Sequence, residues 1–275
     1  MHRVLIIVLI VLVALMFLYK QTMTQREAFE VSPRIIGGRV TQGKGYPWHA
    51  NLSRSIQGAV AGKSICGGAV ISNDTVVTAA HCFKAKPTHV WVINNKGQRE
   101  VRQVKYSKVH PKYKAVGGET KLTDLGNADV AIIKTTTSFG PGVQKISLAP
   151  VKRRKYGTDV HVIGRGTGSN ESLHRATVYE VPPSKCNIYS AKLKKTRAPK
   201  VLCLRSSSKS ACNGDSGGPA YYSKNGKPML VGVTSGGKGG CGKTGDYHYS
   251  VYTDLRNKEN RSFVTSSRTK LFGVF

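Results

Sequence analysis

Short β-branched runs separated by turn residues dominate the middle of the chain: Ala69-Val70-Ile71, Val76-Val77, Val90-Trp91-Val92-Ile93, Val130-Ala131-Ile132-Ile133, Val160-His161-Val162-Ile163 and Met229-Leu230-Val231-Gly232-Val233. Runs of this length, evenly spaced and with almost no helical period between them, predict an all-β sandwich or barrel. At 275 residues the chain can bury a sizeable core. No internal sequence repeat is visible; the two halves share only a strand-like texture.

The first residues break this pattern. Val4 to Tyr19 is an unbroken apolar run of 16 residues behind His2 and Arg3. That length lies at the upper limit of a signal-peptide core and just short of a comfortable membrane span. Tyr19-Lys20-Gln21-Thr22-Met23-Thr24 lacks the small residues that a signal peptidase needs, so residues 1–19 fit a signal anchor as well as a cleaved signal. Either one exports the remainder, as a secreted protein or as a membrane-anchored precursor with its bulk outside or in the lumen. Six cysteines, all at or beyond Cys66, fit such an oxidising destination and admit many pairings. No Cys-x-x-Cys pair suggests a metal. Sequons stand at Asn51, Asn73, Asn170 and Asn260, with Asn73 in an evident turn and Asn51 on an expected strand.

Charge changes the picture of partners. Forty-three basic residues against fourteen acidic give +29, and +27 remains once residues 1–34 are set aside. The excess gathers in Lys105 to Lys114, Lys152 to Lys155 and Lys192 to Lys209. It exceeds what solubility needs and implies attraction to polyanions such as sulfated glycosaminoglycans, nucleic acid or anionic surfaces. No nucleic-acid motif accompanies it.

Chemistry is concentrated in two segments, Thr78-Ala79-Ala80-His81-Cys82 and Gly214-Asp215-Ser216-Gly217-Gly218-Pro219. A serine hydroxyl is a weak nucleophile near neutral pH and needs a base within hydrogen-bond reach and N–H donors for a developing oxyanion. The Gly-x-Ser-x-Gly pattern also fits the nucleophile elbow of α/β-hydrolases, where the acid and histidine follow the serine. Here only His248 follows, without strand–helix alternation, and the order is His81, Asp129, Ser216. Together with Ile35-Ile36-Gly37-Gly38, Tyr46-Pro47-Trp48, Cys66-Gly67-Gly68 and Asp129-Val130-Ala131-Ile132-Ile133, these segments resemble the chymotrypsin/trypsin family of serine proteases over residues 35 to about 265.

That resemblance implies two six-stranded antiparallel β-barrels with the active site between them. It casts Ser216 as nucleophile, His81 as general base and Asp129 as the acid that orients it, with the N–H groups of Gly214 and Ser216 as oxyanion hole; the triad template of general mechanism comes from this same family. It further implies a zymogen: cleavage after Arg34 frees Ile35, whose ammonium pairs with Asp215. The expected organisation is 1–19 signal or anchor, 20–34 propeptide, 35–275 protease domain. The implied disulfides are Cys66–Cys82, Cys186–Cys203 and Cys212–Cys241. Substrate would lie along Ser235-Gly236-Gly237, with Gly236 where the family carries an aromatic, and Arg165 stands where it carries tryptophan, a replacement expected to leave the chemistry unaffected. Ser210 falls at the base of the primary pocket and Gly237 and Ser250 on its walls, with no carboxylate, so a neutral, apolar P1 side chain is expected. Asp246, the nearby acid, belongs to a loop outside the pocket.

Neither metal nor cofactor is expected, since the calcium-loop acids of some relatives have no counterpart here. The expected partners are protein or peptide substrates, a trypsin-like activating protease and polyanions, with the enzyme itself a monomer. The competing reading is a catalytically idle basic binding protein on the same fold, against which the intact His81, Asp129 and Ser216 speak.

Overall fold

The computed structural model describes residues 12–17, 20, 35–113, 128–151, 156–166, 172–186, 200–238 and 248–269. The chain divides into two units, Met1–Ser32 and Pro33–Phe275. In the first, residues 12–17 are helical and exposed; among the described residues no helix is long and apolar enough to cross a membrane.

Fourteen strands of the second unit are described: β1 (Arg39–Thr41), β2 (His49–Ser53), β3 (Cys66–Ser72), β4 (Thr75–Thr78), β5 (His89–Ile93), β6 (Arg99–Val109), β7 (Ala131–Thr135), β8 (Ser147–Leu148), β9 (Asp159–Gly164), β10 (Leu173–Val181), β11 (Val201–Ser206), β12 (Pro219–Lys224), β13 (Lys227–Lys238) and β14 (His248–Asp254). Strands β2-β3-β4-β7-β6-β5 close an antiparallel barrel. A second ring of six runs β9-β10-β11-β14-β13-β12 and closes through the β12–β9 pairing, while β1 adds to β10 and β8 lies parallel beside β13. Closure removes the sheet edges that would otherwise invite pairing with other chains.

The apolar runs are unbroken because both faces of these strands are buried. Val70, Val76 and Ile133 point into the first barrel with Leu52, Val90 and Val92. Their neighbours Ala69, Ile71, Val77 and Ile132 point the other way, into a seam shared with Ile163, Leu230 and Val233 of the second barrel. Val160, Val162 and Val231 fill the second barrel with Leu202, Leu204 and Tyr252. Alternation along each strand thus divides one run between a barrel interior and the junction between barrels.

Among the described residues of this unit two α-helices stand outside the barrels: α1 (Ile56–Val60), capped by the Ser55 hydroxyl accepting from Gly58 N at 3.0 Å, and α2 (Lys258–Thr269). Helix α2 has no counterpart in the sequence reading. It is strongly polar and carries two buried apolar side chains, Phe263 and Val264; both enter the seam, and that packing holds it. Asn257 Oδ1 accepts from Glu259 N at 3.0 Å at its start. The Asn260 amide is buried and donates to the Lys200 and Asp254 carbonyls, which closes that sequon to a glycan. Asn51 is likewise buried, in β2, whereas Asn73 lies exposed in a turn; Asn170 is outside the described residues.

Disulfides Cys66–Cys82 and Cys186–Cys203 are present. Cys212 is also disulfide-bonded; Cys241 lies outside the described residues.

Candidate active site

His81 sits in a short 3₁₀ turn, Ala80–Ala85, entered from β4 and stapled to β3 by Cys66–Cys82. Asp129 lies just ahead of β7, separated from it by Val130, and β7 is the barrel neighbour of β4, so two adjacent strand ends bring the pair together. His81 Nδ1 lies 2.8 Å from Asp129 Oδ2, and His81 N donates to Asp129 Oδ1 at 2.9 Å. The Ser235 hydroxyl donates to Oδ2 at 2.5 Å, and the Thr253 hydroxyl donates to the Asp129 carbonyl at 2.7 Å. Burial alone would raise the pKa of this 3 % exposed carboxyl, but the bonds and charge from His81 and the Ser235 hydroxyl outweigh it, and the pKa falls below the ordinary value. The preceding Ala128 is buried at φ +59°, a left-handed conformation that costs an alanine about 1–2 kcal/mol. Strain of this kind marks a place over-determined by its surroundings.

Ser216 comes from the second barrel, on the loop that leads into β12. Its carbonyl accepts from Gly67 N of β3 at 2.7 Å, and Cys82 Sγ, next to His81, lies 3.7 Å from the same oxygen. The approach is backbone to backbone. A Cβ on Gly217, whose φ is +75°, would lie 2.2 Å from Thr78 Oγ1 and 2.6 Å from the Gly67 carbonyl, so only glycine lets the serine loop dock here. Among the described residues the Gly214 and Ser216 N–H groups donate to nothing, while the neighbouring Gly217 and Gly218 N–H groups are bonded to Thr234 and Asp215. Two unspent donors flanking a serine are what an oxyanion requires. The Ser216 hydroxyl itself has no hydrogen bond among the described residues.

Asp215 is buried at 1 % exposure and accepts from Gly166 N and Cys212 N, each at 2.9 Å. Burial pushes its pKa up to about 7 against those two donors. The space allowed it is tight: a Cβ on Gly164 would sit 2.0 Å from Oδ1. Ile35 is buried at 3 % among the second-barrel core residues, and Ile36 bridges to Ser210, with Ile36 N donating to the Ser210 carbonyl at 2.8 Å. Arg34 lies outside the described residues.

Ser210 and Ser250 meet: their hydroxyls share a hydrogen bond of 3.1 Å, and Ser210 donates to the Ala211 carbonyl at 2.9 Å. Gly237 of β13 is paired with Ser250 of β14. Among the described residues no carboxylate bonds either hydroxyl; Asp246 lies outside them. Sequence reasoning had no sign of Thr253, of the Gly67 donor or of the Gly164 and Gly166 clasp on Asp215. These roles depend on which strands become neighbours, although the Cys66-Gly67-Gly68 motif does mark one of them. Cys66, His81 and Cys82 place their donor atoms within 4.8 Å of one another, but the two sulfurs are joined and offer no thiolate to a metal.

Two closed barrels with a carboxylate-bound histidine and a glycine-bracketed serine at their junction define a serine hydrolase of the two-barrel class. The family model described as Trypsin matches residues 35–259. Curated relatives include a Drosophila erecta protein named Trypsin delta, 31% identical over 82% of this chain and 87% of its own, and a Drosophila melanogaster protein named Trypsin alpha, 30% identical over 88% and 90%. A Phoneutria nigriventer protein named U21-ctenitoxin-Pn1a is 30% identical over 74% of this chain and 89% of its own. The chain belongs to the trypsin family and is a serine endopeptidase.

Proposed function

We propose that the protein is an exported zymogen whose residues 35–275 hydrolyse peptide bonds after neutral, apolar side chains through Ser216, His81 and Asp129. The observation that carries this reading is the fully bonded Asp129 carboxylate behind His81. With His81 N and Ser235 occupying its other acceptor sites, the remaining lone pairs hold the Nδ1–H tautomer and leave Nε2 free to take the Ser216 proton. The resulting alkoxide attacks the substrate carbonyl, Gly214 and Ser216 N–H groups receive the oxyanion, and His81 returns the proton to the leaving amine. Water then cleaves the acyl-enzyme by the same steps reversed. Residues 1–19 serve as export signal or anchor, 20–34 as propeptide, and the +27 charge of the domain draws it to polyanions.

In the activated form the Ile35 ammonium pairs with Asp215. A 1 % exposed carboxylate with two amide donors among the described residues needs such a countercharge to ionise fully. The test is to cut Arg34–Ile35 with trypsin, remove the trypsin, and treat the product with a serine-directed phosphonylating reagent and a peptide library. Labelling at Ser216, with cleavage abolished in Ser216→Ala, is expected. Equal peptidase activity in the two proteins would refute the assignment.

The pocket carries a separate expectation. Ser210 and Ser250 satisfy each other, and an arginine placed against them would bury its guanidinium with no carboxylate among the described residues to pair it, at a cost of several kcal/mol. The purified precursor, incubated alone, is therefore expected not to generate an Ile35 N-terminus. A rate of Ile35 formation that rises with precursor concentration, and is absent in Ser216→Ala, would restore basic P1 specificity.

A further inference from the structure

We infer that Arg165 is a positioning residue that latches the serine loop to the first barrel by stacking on Trp91; this rests on the catalytic reading above. Arg165 stands between the two glycines that clasp Asp215 on its Oδ1 side. Gly164 ends β9 where an added Cβ would lie 2.0 Å from that oxygen, and Gly166 donates its N–H to it at 2.9 Å. The intervening side chain leaves the second barrel altogether. Its guanidinium carbon lies 5.0 Å from the ring centre of Trp91 on β5, within the range of a cation–π contact, and Arg165 is only 6 % exposed. Trp91 is fully buried, donates its indole N–H to the Lys63 carbonyl at 3.2 Å and has a second guanidinium, that of Arg99, 4.8 Å from its ring centre. The stacking platform is therefore fixed.

The slot is shaped for this side chain. A Cβ on Gly43 would fall 2.9 Å from Arg165 Nη2 and 2.9 Å from Ile93 Cβ, so Gly43 leaves the room that the guanidinium occupies. His49 beside it is buried, and burial together with the Arg165 charge lowers its pKa to about 3. The imidazole is thus neutral throughout the working range and does not repel the cation. Arginine suits the place because it is flat, weakly hydrated and able to stack, which lysine is not.

The consequence runs through the main chain. Seating Arg165 on Trp91 fixes the Gly166 donor, that donor fixes Asp215, and Asp215 adjoins the Gly214 and Ser216 N–H groups. Loosening the latch should blur the oxyanion donors while leaving the Ser210–Ser250 pocket intact. Losing an oxyanion donor outright costs about 10²–10³ in kcat, so misplacement is expected to cost about 10 to 10².

The experiment compares processed wild type with Arg165→Ala, Arg165→Lys, Arg165→Trp and Gly43→Ala. Each is measured for kcat, KM and hydrogen-exchange protection of the Gly166 amide. Expected are a kcat loss of about 10 to 10² with KM within about twofold for Arg165→Ala, Arg165→Lys and Gly43→Ala. Gly166 protection should fall in parallel, and Arg165→Trp, which keeps a flat stacking group, should restore both. Unchanged Gly166 protection in Arg165→Ala overturns the latch whatever the activity, and so does full rescue by Arg165→Lys, which would make charge rather than stacking the agent. A wild type that cleaves nothing counts against the catalytic reading, while the exchange result still decides the latch.

Discussion

Replacing Asp129 by asparagine is expected to lower kcat by about 10⁴ near neutral pH, the loss established for the equivalent exchange in a chymotrypsin-family enzyme, with KM little changed. The geometry here supplies the reason. Oδ1 accepts from His81 N, and Oδ2 accepts from the Ser235 hydroxyl and faces His81 Nδ1. Asparagine has one oxygen for these two places. With its NH₂ at the Oδ1 place, two N–H groups would point at each other. Turned the other way, the NH₂ donates to His81 Nδ1, which puts the ring proton on Nε2, where the Ser216 proton must go. Ser235→Ala removes one donor of several and should cost far less, about tenfold. Measuring kcat and KM for both variants, alongside wild type, decides the matter. An Asp129→Asn enzyme within about tenfold of wild type would show that this carboxylate does not set the tautomer.

Cleavage at Arg34–Ile35 is expected to stabilise the domain, and to do so much more at pH 7.5 than at pH 4. In the unprocessed chain the Asp215 pKa is raised to about 7 by burial, above the ordinary carboxylate value. A raised folded-state pKa contributes stability that is fully present below the unfolded value and is lost as pH climbs towards 7. About three units of pKa correspond to roughly 4 kcal/mol, or about 10 °C in Tm for a domain of this size. Once an Ile35 ammonium neutralises the carboxylate, its pKa drops and that loss disappears. The difference in Tm between processed and precursor forms should therefore widen from pH 4 to pH 7.5. Asp215→Asn should remove the pH dependence from the precursor. Parallel Tm curves for the two wild-type forms would mean that Asp215 is not the partner of the new terminus.

Much of the site was legible because it is written in short local segments. A histidine within Ala79-Ala80-His81-Cys82 and a serine between Asp215 and Gly217 carry their chemistry with them, and the apolar runs mark strand positions whatever their neighbours turn out to be. Cys66–Cys82 and Cys186–Cys203, implied by resemblance alone, are both joined. Helix α2 was not legible. Its sequence, Lys258 to Thr269, is strongly polar and holds two buried apolar side chains, and its stability comes from Phe263 and Val264 entering a seam built by strands far away in sequence. In the sequence Arg165 reads as a departure from the family pattern with no effect on chemistry, because nothing in Gly164-Arg165-Gly166 says that Trp91 will lie under it.

By itself the sequence determined the class of chemistry and the all-β character of the domain and set out the candidate carriers in order, since these follow from residue type and short-range spacing. Tertiary structure alone decided which faces of the strands meet in the seam, which four hydrogen bonds hold Asp129 and its carbonyl, and that Ser210 and Ser250 satisfy each other. Those outcomes depend on the closure of each barrel and, across the seam, on the docking of one barrel against the other. That docking brings β3 against the serine loop and Ser235 and Thr253 against Asp129 across more than a hundred residues of chain, a distance over which no local pattern carries information.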